Sequence, residues 1–199
     1  SVEQGHGELL LPSSAIWQFA PEKVLAVRHD WTEAEPELTG LLMRAIWKAG
    51  RWLAEPKRMS TAAEILSWPE YLGVSAEVAE RALSGHMVIA RNAKAKPVKR
   101  MLTFFDGAAT FPWKSQAAWI GTQMAARIGL DRDNAARTAE TVFRTDLYRK
   151  ALAETTAALP GASEKVEGAI NQPEPAASAK GSLILEPPVL LLQTHRAPP

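Results

Sequence analysis

The stretch Phe111-Pro-Trp-Lys-Ser-Gln-Ala-Ala-Trp-Ile-Gly-Thr-Gln-Met124 joins turn chemistry, a helix cap and bulky aromatics within one short segment. Pro112 fixes its own φ and pushes Phe111 towards an extended backbone, and Ser115 is suited to accept a hydrogen bond from the free N–H groups of the turn after it. A helix is therefore expected to start here. Trp113, Ala117, Ile120, Met124 and Ile128 recur at steps of four, three, four and four, which predicts one buried face. Gly129 stops the helix.

Around this stretch the composition is that of a globular protein. The 199 residues are 46% hydrophobic and 23% charged, enough to bury a core as one domain or a large part of one. A formal net charge of +1 sets up no global field, so the charge balance implies neither DNA nor an anionic membrane. The absence of cysteine excludes disulfides, thiolate nucleophiles and Cys-based zinc sites. No apolar run is long enough to cross a bilayer, and Ser1-Val-Glu-Gln-Gly-His-Gly has no basic segment followed by a hydrophobic one. It also lacks Met, so the chain is expected to begin inside a longer protein or after processing.

Taken in order, Glu8 to Leu11 and Lys23 to Arg28 read as short strands, with Ala15 to Pro21 a loop carrying exposed aromatics between them. Pro36 suits the first position of the longest helix, to about Glu55, whose face would be Leu38, Leu41, Leu42, Ala45, Ile46, Ala49, Trp52 and Leu53. A shorter helix follows from Ser60 to Ser67, with Thr61 and Glu64 at capping-box spacing, then one from Ser75 to about Leu83. Further helices are expected from Asp133 to Phe143 and from Thr145, as cap, to about Thr156. Asn171 to Gly181 reads as a linker or tail, and Pro187 to Pro199 has no amphipathic pattern. There is no internal repeat.

Little of this carries chemistry. His6, His29, His86 and His195 lie in no metal-spaced motif, and Asp106, Asp131, Asp133 and Asp146 stand at turns and helix starts, where carboxylates cap backbone N–H groups. No Gly-x-Ser-x-Gly elbow or Gly-rich phosphate loop is present. No catalytic residue, metal or cofactor is assigned, and no enzyme is expected. Residues 91–100 carry five cations without an interleaved aromatic, which reads as a solvated basic loop before a nucleic-acid patch, so no direct nucleic-acid partner is expected. Trp113 and Trp119 sit at core spacing, and Lys114 is a candidate anion contact at a helix N-terminus or a solvent-facing lysine. Trp17 and Gln18 differ, because they lie in a loop between two expected strands, where a flat apolar wall and a neutral amide can meet a ligand.

Several separate motifs, in order, resemble the C-terminal half of the nitrate- and bicarbonate-binding proteins of ABC importers. They are Ile16-Trp-Gln-Phe-Ala-Pro-Glu-Lys-Val-Leu-Ala-Val27, Arg51-Trp-Leu, Pro69-Glu-Tyr-Leu-Gly73, Phe111 to Trp119 with Gln123-Met124, and Arg144-Thr-Asp-Leu-Tyr148. The resemblance implies an α/β fold of the periplasmic-binding-protein type II, here partial, mostly helical and with a few short strands. Residues 1–170 would be the C-terminal part of a two-lobed solute-binding protein, and 171–199 a linker-like or divergent tail. The implied ligand is a small inorganic anion, nitrate or nitrite, with Trp17 and Gln18 in the cleft, a transporter permease as partner and a periplasmic location. The family's ligand residue after the Ile-Trp pair maps onto Gln18, where the resemblance leads one to expect a lysine in nitrate binders and a glutamate in bicarbonate binders. Leu159-Pro-Gly-Ala-Ser-Glu-Lys-Val-Glu-Gly168 is also similar to the cytoplasmic relatives that sense nitrate or nitrite and control an RNA-binding antiterminator, which gives a second reading. A third is an enzyme of the thiamine-precursor branch of the same fold.

Overall fold

The computed structural model describes residues 2, 4–17, 19–167 and 174–185. Seven α-helices are described: α1 (His29–Ala34), α2 (Pro36–Leu53), α3 (Met59–Ser67), α4 (Ala76–Leu83), α5 (Lys114–Ile128), α6 (Arg132–Val142) and α7 (Thr145–Leu152). Two antiparallel pairs complete it, β1 (His86–Met87) with β2 (Lys96–Pro97), and β3 (Glu174–Ser178) with β4 (Gly181–Leu185).

The core forms where the Phe111–Trp113 segment meets α2, α7 and the chain after α7. Trp47, Ala108, Phe111, Trp113, Tyr148, Leu152, Ala157 and Leu159 are buried together. Phe111 meets Trp113 and Tyr148 edge-on, with ring centroids 4.7 and 5.2 Å apart, an arrangement that puts the positive edge of one ring on the negative face of another. The Tyr148 hydroxyl shares a 2.7 Å hydrogen bond with Thr110 Oγ1, so its polar end is satisfied inside the core.

Arg149 closes the far side. Its Nε donates to the carbonyl oxygen of Pro160 and its two terminal nitrogens to Gly161 O, Ala162 O and Ser163 Oγ, while the guanidinium stands 5.0 Å from the Phe111 ring centroid. One planar cation thereby ties the segment after α7 to the helix and to the core.

The structure corrects several expectations. Glu8 to Leu11 and Lys23 to Arg28 form no strand: neither has a ladder, and Leu10, Val24, Leu25 and Val27 are exposed. Apolar runs become strands only beside a partner strand, and none among the described residues flanks them; Leu9 N–H donates to Ile89 O at 2.8 Å, a single bond. In α2 the expected stripe is turned outwards. Thr39, Trp47 and Gly50 are buried, whereas Leu38, Leu41 and Ile46 are exposed. Gly50 decides the rotation, because a Cβ there would stand 2.6 Å from Phe104 O; the helix presses its smallest residue onto neighbouring backbone.

The same rule reshapes α5. Gln116, Ala117 and Ala125 are buried, while Met124 and Ile128 face out at 61% and 67% exposure. A Cβ on Gly121 would lie 2.8 Å from Ala135 O and Ala139 Cβ, so α5 and α6 approach through small residues instead of interlocking large ones. Ser115 is not the cap: the cap position is Trp113, and Ser115 Oγ instead donates to Glu167 Oε1 at 2.9 Å and accepts from Lys165 N–H at 3.2 Å. Thr61 lies inside α3 and makes no capping box, and Thr145 is the first residue of α7, buried, with its hydroxyl on Ser163 Oγ. Ser75 and Asp131 do cap their helices, accepting from Val78 N–H and Asn134 N–H. Within the stretch expected to be linker-like, Glu174–Ser178 is a strand. Its partner β4 sends Leu183 and Leu185 onto the core.

Candidate functional site around the Trp17 loop

Pro12 leads into a single 3-10 turn, Ser13–Ala15, and the N–H groups of Ile16 and Trp17 both reach back to Ser13 O at 2.9 Å. This tight turn reverses the chain and drives Trp17 inward. The indole is 7% exposed and lies edge-on to Trp119 of α5, with centroids 4.7 Å apart and planes at 61°. Trp17 Nε1–H is buried and has no hydrogen-bond partner among the described residues. A buried donor without an acceptor costs about 1–3 kcal/mol, so this position is expensive unless an acceptor reaches it.

Gln18, the other residue singled out in the sequence, lies outside the described residues. Phe19 follows it, half-buried, with the Arg100 guanidinium 5.0 Å from its ring centroid. Next to the loop opens a cavity of about 690 Å³ lined by Pro12, Ser14, Ala15, Val98, Lys99 and Arg100. The two tryptophans singled out elsewhere separate: Trp113 belongs to the core, and Trp119 is brought to Trp17. Lys114 uses its backbone N–H on Ser163 O at 3.0 Å, where the start of α5 meets the segment after α7. Sequence reading passed over Lys99 and Arg100 as a solvated loop; the signal that could have found them is the run from Arg81 to Phe105, which holds no Asp or Glu.

Among the described residues no group of three or more His, Asp or Glu side chains could hold a metal ion, and no helix is long and apolar enough to cross a membrane. The arrangement around Trp17 offers apolar walls, an unused N–H donor and nearby positive charge. Those are means of holding a ligand.

The model of the NMT1-like family matches residues 1–67. The chain is 29% identical over 138 residues to the nitrate/nitrite binding protein NrtA of Synechococcus elongatus, covering 68% of this chain and 31% of that protein. It is also similar in fold to the crystal structure of the periplasmic nitrate-binding protein NrtA from Synechocystis, with a TM-score of 0.76 over 90% of this chain and 46% of that one, at 22% identity. Bicarbonate-binding proteins are similar as well.

The chain is similar to nitrate- and bicarbonate-binding proteins.

Its fold is that of part of a type II periplasmic binding protein, mostly helical with short strands. The chain spans less than half the length of these relatives. A nitrate import ATP-binding protein, NrtC of Synechococcus elongatus, is 28% identical over 155 residues, covering 77% of this chain and 23% of that protein. Much of the chain is thus similar both to a nitrate/nitrite binding protein and to an ATP-binding protein.

Proposed function

We propose that this chain is part of the solute-binding component of an ABC importer for small anions of the nitrate and nitrite type, acting in the periplasm beside a transporter permease and catalysing no reaction. The observation that carries the reading is the recurrence of nitrate/nitrite binding proteins from several organisms among its relatives. The geometry supports it. In this reading Trp17 and Gln18 line the anion site, and Trp119 and α5 hold the Trp17 loop from behind.

Gln18 bears on which anion is bound. A neutral amide can donate to nitrate but offers no charge to offset the cost of desolvating it, and it gives a hard cation no carboxylate ligand, which disfavours bicarbonate held with a metal. Calorimetric titration of the protein with sodium nitrate, nitrite and bicarbonate tests the reading. Saturable binding of nitrate or nitrite supports it, and the absence of binding by all three removes it.

The match to the ATP-binding protein favours a second reading, in which the module senses the anion within an import ATPase. ATP hydrolysis by the protein's native complex, measured with and without nitrate, separates the two. A nitrate-dependent rate carried by the polypeptide itself would favour the second.

A further inference from the structure

Between Glu80 and Asp106 the chain carries Arg81, Arg91, Lys94, Lys96, Lys99 and Arg100 and no acidic residue, although its net charge is only +1. The N-terminal segment lies along this basic run. Gly5 packs against Arg91, Leu9 N–H donates to Ile89 O, and the turn at Ser13–Ala15 faces Val98, Lys99 and Arg100 across the cavity of about 690 Å³. Val98 N–H donates to Gly85 O at 2.7 Å, which fixes the start of the Val98–Arg100 wall against the β1–β2 pair. Arg100 adopts φ 54, a left-handed backbone that costs a non-glycine residue energy, and its guanidinium lies over Phe19.

None of the six residues lining this cavity is acidic. Glu8 and Glu22 are the acids that flank the Ser13–Ala15 turn in sequence, and Glu22 accepts a 2.8 Å hydrogen bond from Ser13 Oγ. Lys99, Arg100 and Ser14 line the cavity together with Pro12, Ala15 and Val98, and an apolar wall beside positive charge strengthens the attraction for an anion. The cavity of about 690 Å³ is much larger than nitrate or nitrite, so these six residues would contact one side of such an anion.

We propose that Lys99, Arg100 and the Ser14 hydroxyl form the charged wall of a site for a small monovalent oxoanion, supplying the positive charge that the Trp17 loop lacks. This rests on the anion-binding reading above, whose site it completes.

The test is calorimetry on the protein at low ionic strength with sodium nitrate, nitrite and bicarbonate as probes, comparing wild type, Lys99→Gln with Arg100→Gln, and Lys94→Gln with Lys96→Gln. The first pair of substitutions is expected to raise the dissociation constant at least about tenfold, the loss of one charge-assisted hydrogen bond or more, and the second, outside the cavity, to change it less than about twofold. Lys99→Gln alone, at an exposed position, carries the test should Arg100→Gln lower the unfolding midpoint. Equal losses in both pairs would assign the effect to the general field of the basic run and overturn the proposal. Wild-type affinity in the Lys99/Arg100 variant would overturn it too, while leaving anion binding itself intact. If the wild type binds none of the three anions, the proposed function fails and this site with it.

Discussion

The indole of Trp17 meets that of Trp119 edge-on, with centroids 4.7 Å apart, and this contact fastens the N-terminal loop to the helix that starts at Lys114. Edge-to-face aromatic pairs contribute about 0.5–1.5 kcal/mol beyond the area they bury. Trp119→Ala is therefore expected to destabilise the protein by roughly 2–4 kcal/mol, with Trp119→Phe costing less than about half of that, since Trp119 is only half-buried. Urea unfolding of the two variants measures the difference. Equal losses would mean that the ring contact adds nothing beyond bulk.

Two helical glycines are expected to respond in opposite directions. A Cβ on Gly121 would meet Ala135 O and Ala139 Cβ at 2.8 Å, and Gly121→Ala should cost about 1–3 kcal/mol through forced separation of α5 and α6. On Gly40 the nearest atom is Arg44 Nη1 at 3.3 Å, the end of a long side chain that donates to Ala151 O; a shift of a few tenths of an ångström makes room, so Gly40→Ala should stabilise by up to about 0.5–1 kcal/mol through helix propensity. Thermal unfolding midpoints moving down for one and up for the other would check both.

Legibility in the sequence followed the kind of signal. The helices were readable because Pro36, Ser75, Asp131 and Gly129 punctuate them by local chemistry. Their buried faces were not. Hydrophobic periodicity marks which residues share a side, but Gly50 and Gly121 turn α2 and α5 onto their small residues, and close backbone approach leaves no apolar signature. The strands expected at Glu8–Leu11 and Lys23–Arg28 required a partner strand, which a local pattern does not reveal. At the site, Trp17 stood out because it lies in a loop between two expected strands, a place where ligand contacts are common, whereas Lys99 and Arg100 looked like any exposed basic loop. Their meaning depends on what faces them, Ser14 and Ala15, more than eighty residues earlier in the sequence.

Arg149 joins α7 to residues 160–163 through four acceptors. Arg149→Met keeps much of the stem over Phe111 but loses those bonds, and should cost about 1.5–3 kcal/mol, the scale of hydrogen bonds to a charged group. Arg149→Lys should recover only part, because a point charge does not reproduce the planar fork. Amide exchange in residues 161–163 is expected to rise in both variants. Unchanged protection there would show that the segment is held by other contacts.

Acid should loosen the start of α7. The two-pronged hydrogen bond from Arg144 to Asp146, at 2.9 and 2.7 Å, holds the Asp146 carboxyl at a pKa of about 2, below its ordinary 3.8. Because the folded-state value is the lower one, the ionised carboxylate stabilises the fold above pH 3.8, and that contribution disappears as pH falls towards 2. The pair is largely solvated, so the effect on global stability is expected to be small. An NMR titration of Asp146 in wild type and Arg144→Gln should show the midpoint rising in the variant. The same midpoint in both would contradict the pairing.

The central claim is that a small anion binds at the Trp17 loop, and the Trp17 indole N–H, buried without an acceptor among the described residues, reports on it directly. In ¹H–¹⁵N spectra of the protein titrated with sodium nitrate, this resonance should shift and saturate, and Gln18→Ala should move the transition to higher nitrate with little change in unfolding midpoint. A Trp17 signal that stays fixed while calorimetry registers nitrate binding would place the anion elsewhere and contradict the account.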